Sequence, residues 1–276
     1  MKAIKYIIAL GLLVTGLTSC VQEPPTQEEI EAQWPENINT IVGDFVLVKR
    51  DTLGFIMGDA SLVTSSPEHK VKFSKSYYMC KTEVTQAQWE TVMLLNPSDN
   101  EGLIEGNTNP ENCPVNNITL DQAKEFVAAL NQLTGRKFAI PTEAQWEWAA
   151  IGGMNSTGYT YSGSNDLSEV AWTNGLLNEV GKLKANELGL YDMTGNVEEW
   201  TADKYSNYKE AEVTDPKGGA SGTSYVTRGG SSYDNDADLL NVKSRNKAKS
   251  SDKIYTRGLR LILEEPLSIE LINNEK

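Results

Sequence analysis

The sequence predicts one α+β domain that is poor in regular secondary structure. Two observations lead to this prediction. Short β-type runs at residues 45–48, 55–58 and 71–79 precede three segments with the pattern of a helix start. After Gly153 the chain is rich in Gly, Ser, Asn and Asp, but Trp and Tyr recur within it, which argues for an ordered loop scaffold and against disorder.

Each predicted helix begins with a capping box, in which Thr is followed three residues later by Gln. The three pairs are Thr85 with Gln88, Thr119 with Gln122, and Thr142 with Gln145. Apolar residues at helical spacing follow Thr119 as far as Gly135, which predicts the end of that helix. The third helix is expected to stop at Gly152-Gly153.

The composition excludes some classes of function. The chain of 276 residues has a net charge of −13, which argues against binding of nucleic-acid backbones, and we therefore predict no nucleic-acid partner. It has one histidine and three cysteines, so few residues are available for metal or nucleophile chemistry.

The N-terminus has the pattern of a bacterial lipoprotein signal peptide at residues 1–19. Lys2 and Lys5 precede a short apolar run, and Leu17-Thr18-Ser19-Cys20 has the form of a lipobox. This predicts lipidation of Cys20 and anchoring to an outer membrane, a cell surface or the periplasmic side of the envelope. The alternative is ordinary secretory cleavage near Ser19. Residues 20–39 are predicted to form a flexible tether, residues 40–265 the domain, and residues 266–276 a polar tail.

An ordered set of motifs resembles the formylglycine-generating-enzyme (sulfatase-modifying-factor) family across roughly residues 41–263. The motifs are Phe55-Ile56-Met57-Gly58, Pro67-Glu68-His69-Lys70-Val71, Thr82-Glu83-Val84-Thr85, Pro114-Val115, Ile140-Pro141-Thr142-Glu143-Ala144-Gln145-Trp146-Glu147-Trp148, Gly189-Leu190-Tyr191, Gly195-Asn196-Val197-Glu198-Glu199-Trp200, Arg228-Gly229-Gly230-Ser231 and Gly258-Leu259-Arg260. The resemblance implies the formylglycine-generating-enzyme fold, an elaborated C-type-lectin-like core of the α+β class.

The resemblance does not extend to the family's oxidase chemistry. Family enzymes bind copper(I) through two thiolates just after the Gly-Gly-Ser motif, and a related branch uses a histidine-rich iron site. Here Asp234 stands near the first thiolate position, no cysteine follows Cys113, and His69 is the single histidine. We therefore predict no copper, no iron and no catalytic residue. His69 is interpreted as a half-buried structural residue.

The resemblance also implies a structural calcium at the turn between Asp192 and Trp200. Its ligands would be the side chains of Asp192 and Glu199 and the carbonyl oxygens of Gly195 and Val197, with waters completing the shell. The alternative is a hydrogen-bonded turn in which Asp192 caps backbone N–H groups.

Four residues near the lost thiolate positions are candidate ligand contacts: Tyr233, Asp234, Asp236 and Arg245. The alternatives are a solvated loop for the aspartates and a structural ion pair for Arg245. The sequence permits two states for Cys80 and Cys113: a disulfide, which an exported protein can form, or two buried thiols.

These observations favour a non-catalytic, membrane-anchored lipoprotein that uses this fold as a protein-binding scaffold in the cell envelope. One alternative is a glycan-binding module, suggested by the lectin-like core and by the loop tyrosines. The other is an enzyme related to sulfatase modification with altered chemistry.

Overall fold

The computed structural model describes residues 24–100, 109–173 and 175–266. The predicted signal peptide, the lipidation site Cys20 and nearly all of the predicted polar tail lie outside the described residues. None of the helices within these ranges is both long and apolar enough to cross a membrane.

Three sheets and six helices make up the described domain, which confirms the predicted α+β class. The helices are α1 Gln27–Glu31, α2 Gln86–Met93, α3 Leu120–Thr134, α4 Glu143–Ala150, α5 Leu167–Val170 and α6 Ala237–Leu240. The strands are β1 Asn37–Thr40, β2 Gly43–Val48, β3 Phe55–Met57, β4 His69–Lys72, β5 Tyr77–Cys80, β6 Phe138–Ala139, β7 Glu198–Lys204, β8 Val213–Thr214, β9 Ser224–Arg228, β10 Arg245–Lys249, β11 Arg257–Gly258 and β12 Ile262–Leu263. The sheet orders are β1-β2-β5-β12-β6, β10-β9-β7-β11 and β3-β4-β8.

The five-stranded sheet is buried on both faces. Phe45 and Leu47 of β2 belong to a core cluster shared with α2 and α3, whereas Val46 and Val48 belong to a second cluster shared with α4. Successive side chains of a strand point to opposite faces, so a strand covered on both sides is apolar throughout. This is why the sequence shows a continuous apolar run at residues 45–48.

All three predicted helix starts are confirmed. In α2, α3 and α4 the N-cap threonine hydroxyl accepts the N–H of the glutamine three residues on, and the glutamine side chain accepts the N-cap N–H. α3 ends at Gly135, whose φ of 69° is left-handed and costs glycine no steric strain. The predicted helices α2, α3 and α4 are therefore specified locally.

The predicted flexible tether of residues 20–39 is wrong for residues 26–39. Residues 27–31 form α1, and β1 pairs antiparallel with β2, with Ile38 opposite Phe45. Trp34 is buried and its ring stacks on Tyr78 with centroids 5.7 Å apart. The acidic, proline-rich composition predicted a loose segment, but burial of Trp34 and Ile38 together with strand pairing offsets the cost of ordering it.

Candidate functional site

A buried network of four charged side chains lies where α4 meets the four-stranded sheet. Its members, called the ionic cluster below, are Glu143, Glu147, Arg228 and Arg245. α4 presents the two glutamates one turn apart, and the two arginines are direct cross-strand partners in β9 and β10. All four are at most 5% exposed.

Glu143 is the hub of the ionic cluster. Its carboxylate accepts hydrogen bonds from Arg228 Nε at 3.1 Å and from Arg245 Nε and Nη2 at 2.7 and 2.6 Å. Glu147 pairs with Nη2 of Arg228. Burial alone would raise the pKa of Glu143, but the two guanidinium groups outweigh it and hold that pKa below its ordinary value. Two carboxylates thus balance two guanidinium groups.

This arrangement favours a structural role for Arg245 over the predicted ligand contact. Its guanidinium is committed to Glu143, donates to the carbonyl oxygen of Ser206 at 2.8 Å, and lies over the ring of Tyr208 at 3.9 Å. The structural ion pair that the sequence left open as the alternative is what the structure contains.

A cleft of 530 Å³ opens beside the ionic cluster. Asp203 lines it, is 3% exposed, and accepts the backbone N–H of Glu143 at 3.1 Å. Burial, reinforced by the charge of Glu143, raises the pKa of Asp203 to about 7. A carboxylate with such a pKa could exchange a proton with a bound molecule near neutral pH. Within the described ranges it forms no hydrogen bond to a nucleophilic side chain.

His69 forms another part of the cleft wall. It is half-buried, as the sequence predicted, and its ring packs against Tyr208 with centroids 4.5 Å apart. Burial lowers its pKa, and its Nδ1 finds no hydrogen-bond partner in the described part of the chain. His69 and Asp203 are not joined by a hydrogen bond there, so the cleft contains no His–Asp pair of the kind that activates a nucleophile.

The turn from Asp192 to Trp200 is held by a carboxylate that the sequence reasoning did not assign to it. Glu83 accepts the side-chain amide of Asn196 at 2.8 Å and the backbone N–H of Val197 at 3.0 Å. Asp192 accepts the N–H of Gly181 at 2.6 Å. The signal for Glu83 was its place in the Thr82-Glu83-Val84-Thr85 motif, but only the fold brings that motif to this turn.

Glu199, a predicted calcium ligand, has protein partners in the structure. Both of its oxygens face the Nε of Arg260, at 2.9 and 3.2 Å, and one also accepts Trp146 Nε1 at 2.6 Å. Among the described residues, no group of three or more His, Cys, Asp or Glu side chains is arranged to hold a metal ion. Calcium at Asp192, Gly195, Val197 and Glu199 stays a prediction.

Excess negative charge nevertheless remains at this turn. Glu83, Asp192 and Glu199 are all buried, whereas Arg260 is the guanidinium that pairs with Glu199. Burial raises the pKa of Asp192 to about 6, and burial together with the charge of Asp192 raises the pKa of Glu83 well above its ordinary value. A bound proton or a bound cation would each relieve this repulsion.

The aspartates that follow the Gly-Gly-Ser motif form hydrogen bonds to residues close to them in the chain. Asp234 accepts the N–H and hydroxyl of Ser231 at 2.7 and 2.9 Å, and Asp236 caps the N-terminus of α6. These contacts favour a backbone-capping role over the predicted ligand contacts for Asp234 and Asp236. Tyr233 remains a candidate ligand contact, because it is 38% exposed and its ring meets that of Tyr255 edge to face, with centroids 5.0 Å apart. Tyr233, Ile254 and Tyr255 are called the tyrosine patch below.

Cys80 and Cys113 are free, buried thiols, so the disulfide alternative is wrong. Cys80 Sγ lies 3.7 Å from the carbonyl oxygen of Val42, and Cys113 Sγ lies 3.5 Å from that of Asn109. Each thiol thus has its own backbone acceptor. Burial raises the pKa of Cys80, and it raises that of Cys113 to about 12.

Comparison with known proteins places these features in a family. The model of the sulfatase-modifying factor enzyme 1-like domain matches residues 23–265. Chaperone protein LppX of Paenibacillus barcinonensis is 31% identical over 265 residues, which covers 76% of this chain and 85% of that protein. The formylglycine-generating enzyme of Streptomyces coelicolor is 30% identical over 151 residues, which covers 48% of this chain and 46% of the enzyme.

A solved structure agrees with these sequence matches. Treponema denticola variable protein 1 superposes with a TM-score of 0.74 at 28% identity, covering 83% of this chain and 99% of that one. The chain spans less than half the length of the curated formylglycine-generating enzyme from S. coelicolor, so that enzyme's activity does not follow from the match. The extent of the family match and the shared fold together show that this chain belongs to the sulfatase-modifying-factor (formylglycine-generating-enzyme) family.

Proposed function

We propose that this protein is a non-catalytic, lipid-anchored member of its family that binds other proteins in the cell envelope. The observation that carries the proposal is the similarity over most of both chains to a protein named as a chaperone. A chaperone acts by binding another protein, so a shared fold at this coverage favours a binding role. The predicted lipidation of Cys20 would place that role at a bacterial outer membrane, cell surface or periplasmic face.

The side chains at the family's oxidase position support the absence of catalysis. A copper(I) site needs two thiolates, and the residue near the first thiolate position is Asp234, whose carboxylate is bonded to Ser231. The remaining cysteines are buried thiols with raised pKa values, and such thiols are poor ligands and poor nucleophiles.

The tyrosine patch is the surface that we propose for the partner. Tyr233 stands immediately before Asp234, the residue near the first thiolate position of the enzymes, and Tyr233, Ile254 and Tyr255 each expose 38% of their surface. Tyrosine supplies a large rigid contact area at low entropic cost and is enriched in protein interfaces. Glycans also stack on exposed tyrosines, so the experiment has to separate the two.

Site-specific photo-crosslinking in the native envelope tests this proposal. A photoreactive phenylalanine analogue at Tyr233 is expected to yield a discrete protein adduct, whereas the same analogue at Tyr159 is not. Tyr159 is the matched control because it is also 38% exposed. Equal adducts at both positions would refute the tyrosine patch as the partner surface.

Two further outcomes would redirect the assignment. Binding to a glycan array that is lost in Tyr233→Ala and Tyr255→Ala, but kept in Tyr159→Ala, would favour the glycan-binding alternative. Conversion of a cysteine-bearing sulfatase peptide to its aldehyde by the purified protein would overturn the non-catalytic assignment and favour an enzyme.

A further inference from the structure

Asp203 is a buried carboxylate that has no cationic partner in the described part of the chain. Its oxygen Oδ2 accepts the backbone N–H of Glu143 at 3.1 Å, and its oxygen Oδ1 has no hydrogen-bond partner there. Arg245 also lines the cleft, but its guanidinium is paired with Glu143, and Arg228 is shared between the two glutamates of the ionic cluster. Because the ionic cluster balances its own charges, an ionised Asp203 adds an uncompensated negative charge to the cleft wall.

The other titratable side chains of the cleft lining do not compensate this charge. Burial lowers the pKa of His69 and raises the pKa of Tyr208 well above its ordinary value, so both side chains are neutral at neutral pH. Lys209 is exposed and forms no ion pair with Asp203 within the described ranges. An exposed ammonium group is hydrated and screened by salt, so it does little for a buried carboxylate. The cleft therefore offers an acceptor to a cation that a ligand brings.

The carboxylate of Asp203 is held in place by the glycine-rich segment that follows β8. Gly218 forms a parallel bridge with Lys204, and the N–H of Gly219 donates to the carbonyl oxygen of Lys204 at 2.9 Å. A Cβ atom on Gly218 would lie 2.7 Å from Cβ of Asp203, which is closer than two non-bonded carbons approach. The segment thus packs directly on Asp203, so a ligand would meet a carboxylate whose position is already fixed.

Apolar side chains line another part of the same cleft. Met57, Ala144, Val213 and Pro216 are among its lining residues. Its volume of 530 Å³ falls within the range of about 300–1,000 Å³ that is usual for sites of small organic molecules. A buried acceptor beside an apolar wall fits a ligand with a charged donor at one end and a hydrocarbon body.

We infer that this cleft binds a small aliphatic amine in its protonated form, with the ammonium group on Oδ1 of Asp203 and the alkyl chain against the apolar lining. The ammonium group would donate a hydrogen bond to this oxygen and would also neutralise its charge. A neutral alcohol could donate the hydrogen bond but would leave the charge uncompensated. The inference does not rest on the proposed function, because no residue of the tyrosine patch lines the cleft.

Saturation-transfer-difference NMR on the full-length protein in detergent micelles tests this inference. The probes are n-hexylammonium and its neutral counterpart 1-hexanol, and empty micelles measure the partitioning of each probe into detergent. At pH 8 the amine is protonated, as lysine is, and Asp203, whose pKa is about 7, is mostly ionised. Asp203→Asn removes the proposed acceptor charge. The matched control is Glu212→Gln, which removes the same charge from a pair with Lys72 that lies outside the cleft lining.

We expect n-hexylammonium to bind the wild type at least about tenfold more tightly than 1-hexanol, because a hydrogen bond between charged groups is the stronger one. Asp203→Asn should remove this preference and leave the affinity for 1-hexanol nearly unchanged, whereas Glu212→Gln should keep the preference. Urea denaturation checks that Asp203→Asn is folded; if it is not, the comparison of the two probes on the wild type decides alone. Equal affinities of the probes for the wild type, signals no larger than those of empty micelles, or an unchanged preference in folded Asp203→Asn would each overturn the inference.

Discussion

Loss of the charge of Glu143 should destabilise the whole domain, because Glu143 is the carboxylate that both arginines of the ionic cluster share. Glu143→Gln keeps the size of the side chain but removes the carboxylate with which Arg245 pairs, and it leaves Arg228 with the carboxylate of Glu147. Breaking a buried ion pair by removing one partner costs about 3–5 kcal/mol. The glutamine oxygen can still accept one hydrogen bond, so we expect about 3 kcal/mol.

Urea denaturation followed by tryptophan fluorescence measures this loss, since the chain has six tryptophans. Three kcal/mol corresponds to a decrease in Tm of about 6–12 °C for a domain of this size. The matched control is Glu36→Gln, which removes a carboxylate from the exposed pair with Lys49 and should leave the midpoint nearly unchanged. A Glu143→Gln variant within about 1 kcal/mol of the wild type, at an unchanged m-value, would refute the reasoning.

The same variant has a predicted pH dependence. The folded-state pKa of Glu143 lies below its ordinary value of 4.5, because the two guanidinium groups outweigh the effect of burial. Its contribution to stability is therefore fully present above pH 4.5 and is lost as pH falls through the folded-state pKa. The difference in stability between the wild type and Glu143→Gln should consequently shrink below about pH 4. A difference that stays constant down to pH 2 would contradict an ionised Glu143.

Three other predictions concern the cleft, the turn and the thiols. Asp203→Asn should become more stable relative to the wild type as pH rises from 4 to 7, by up to about 4 kcal/mol. The reason is that the folded-state pKa of Asp203 is raised from 3.8 to about 7, so its ionisation opposes folding. Parallel stability profiles of the two proteins by urea denaturation would contradict this. Millimolar calcium should raise the Tm of the wild type by several degrees relative to EDTA, and it should raise that of Asp192→Asn much less. Equal Tm values of the wild type in calcium and in EDTA would refute the predicted calcium site at the turn. In guanidinium without reductant, Cys80 and Cys113 should both react with a maleimide, and mass spectrometry counts the labels. Neither should react readily in the folded protein. Failure of both to react after unfolding would indicate a disulfide.

Local signals in the sequence were sufficient for several features. The capping boxes at Thr85, Thr119 and Thr142 predict helix starts because both partners of each box lie within four consecutive residues. The continuous apolar run at residues 45–48 predicts a buried strand for an equally local reason. The order of the motifs indicated the family, and the missing cysteines argued against its oxidase chemistry without any coordinates.

Only the tertiary structure decided which charged residues meet. Glu143 and Arg245 are 102 residues apart, and the strand pairing of β9 with β10 places Arg245 opposite Arg228 above α4. In the same way, the fold brings Glu83 to the Asp192–Trp200 turn and commits Glu199 to Arg260. A carboxylate has the same sequence signature whether it pairs with a guanidinium, caps a backbone N–H or binds a cation, because burial and partners are set by contacts distant in the chain. The same limit contributes to the error at residues 26–39, where an acidic, proline-rich segment is ordered because Trp34 stacks on Tyr78 of the distant strand β5 and Ile38 pairs with Phe45 of the neighbouring strand β2.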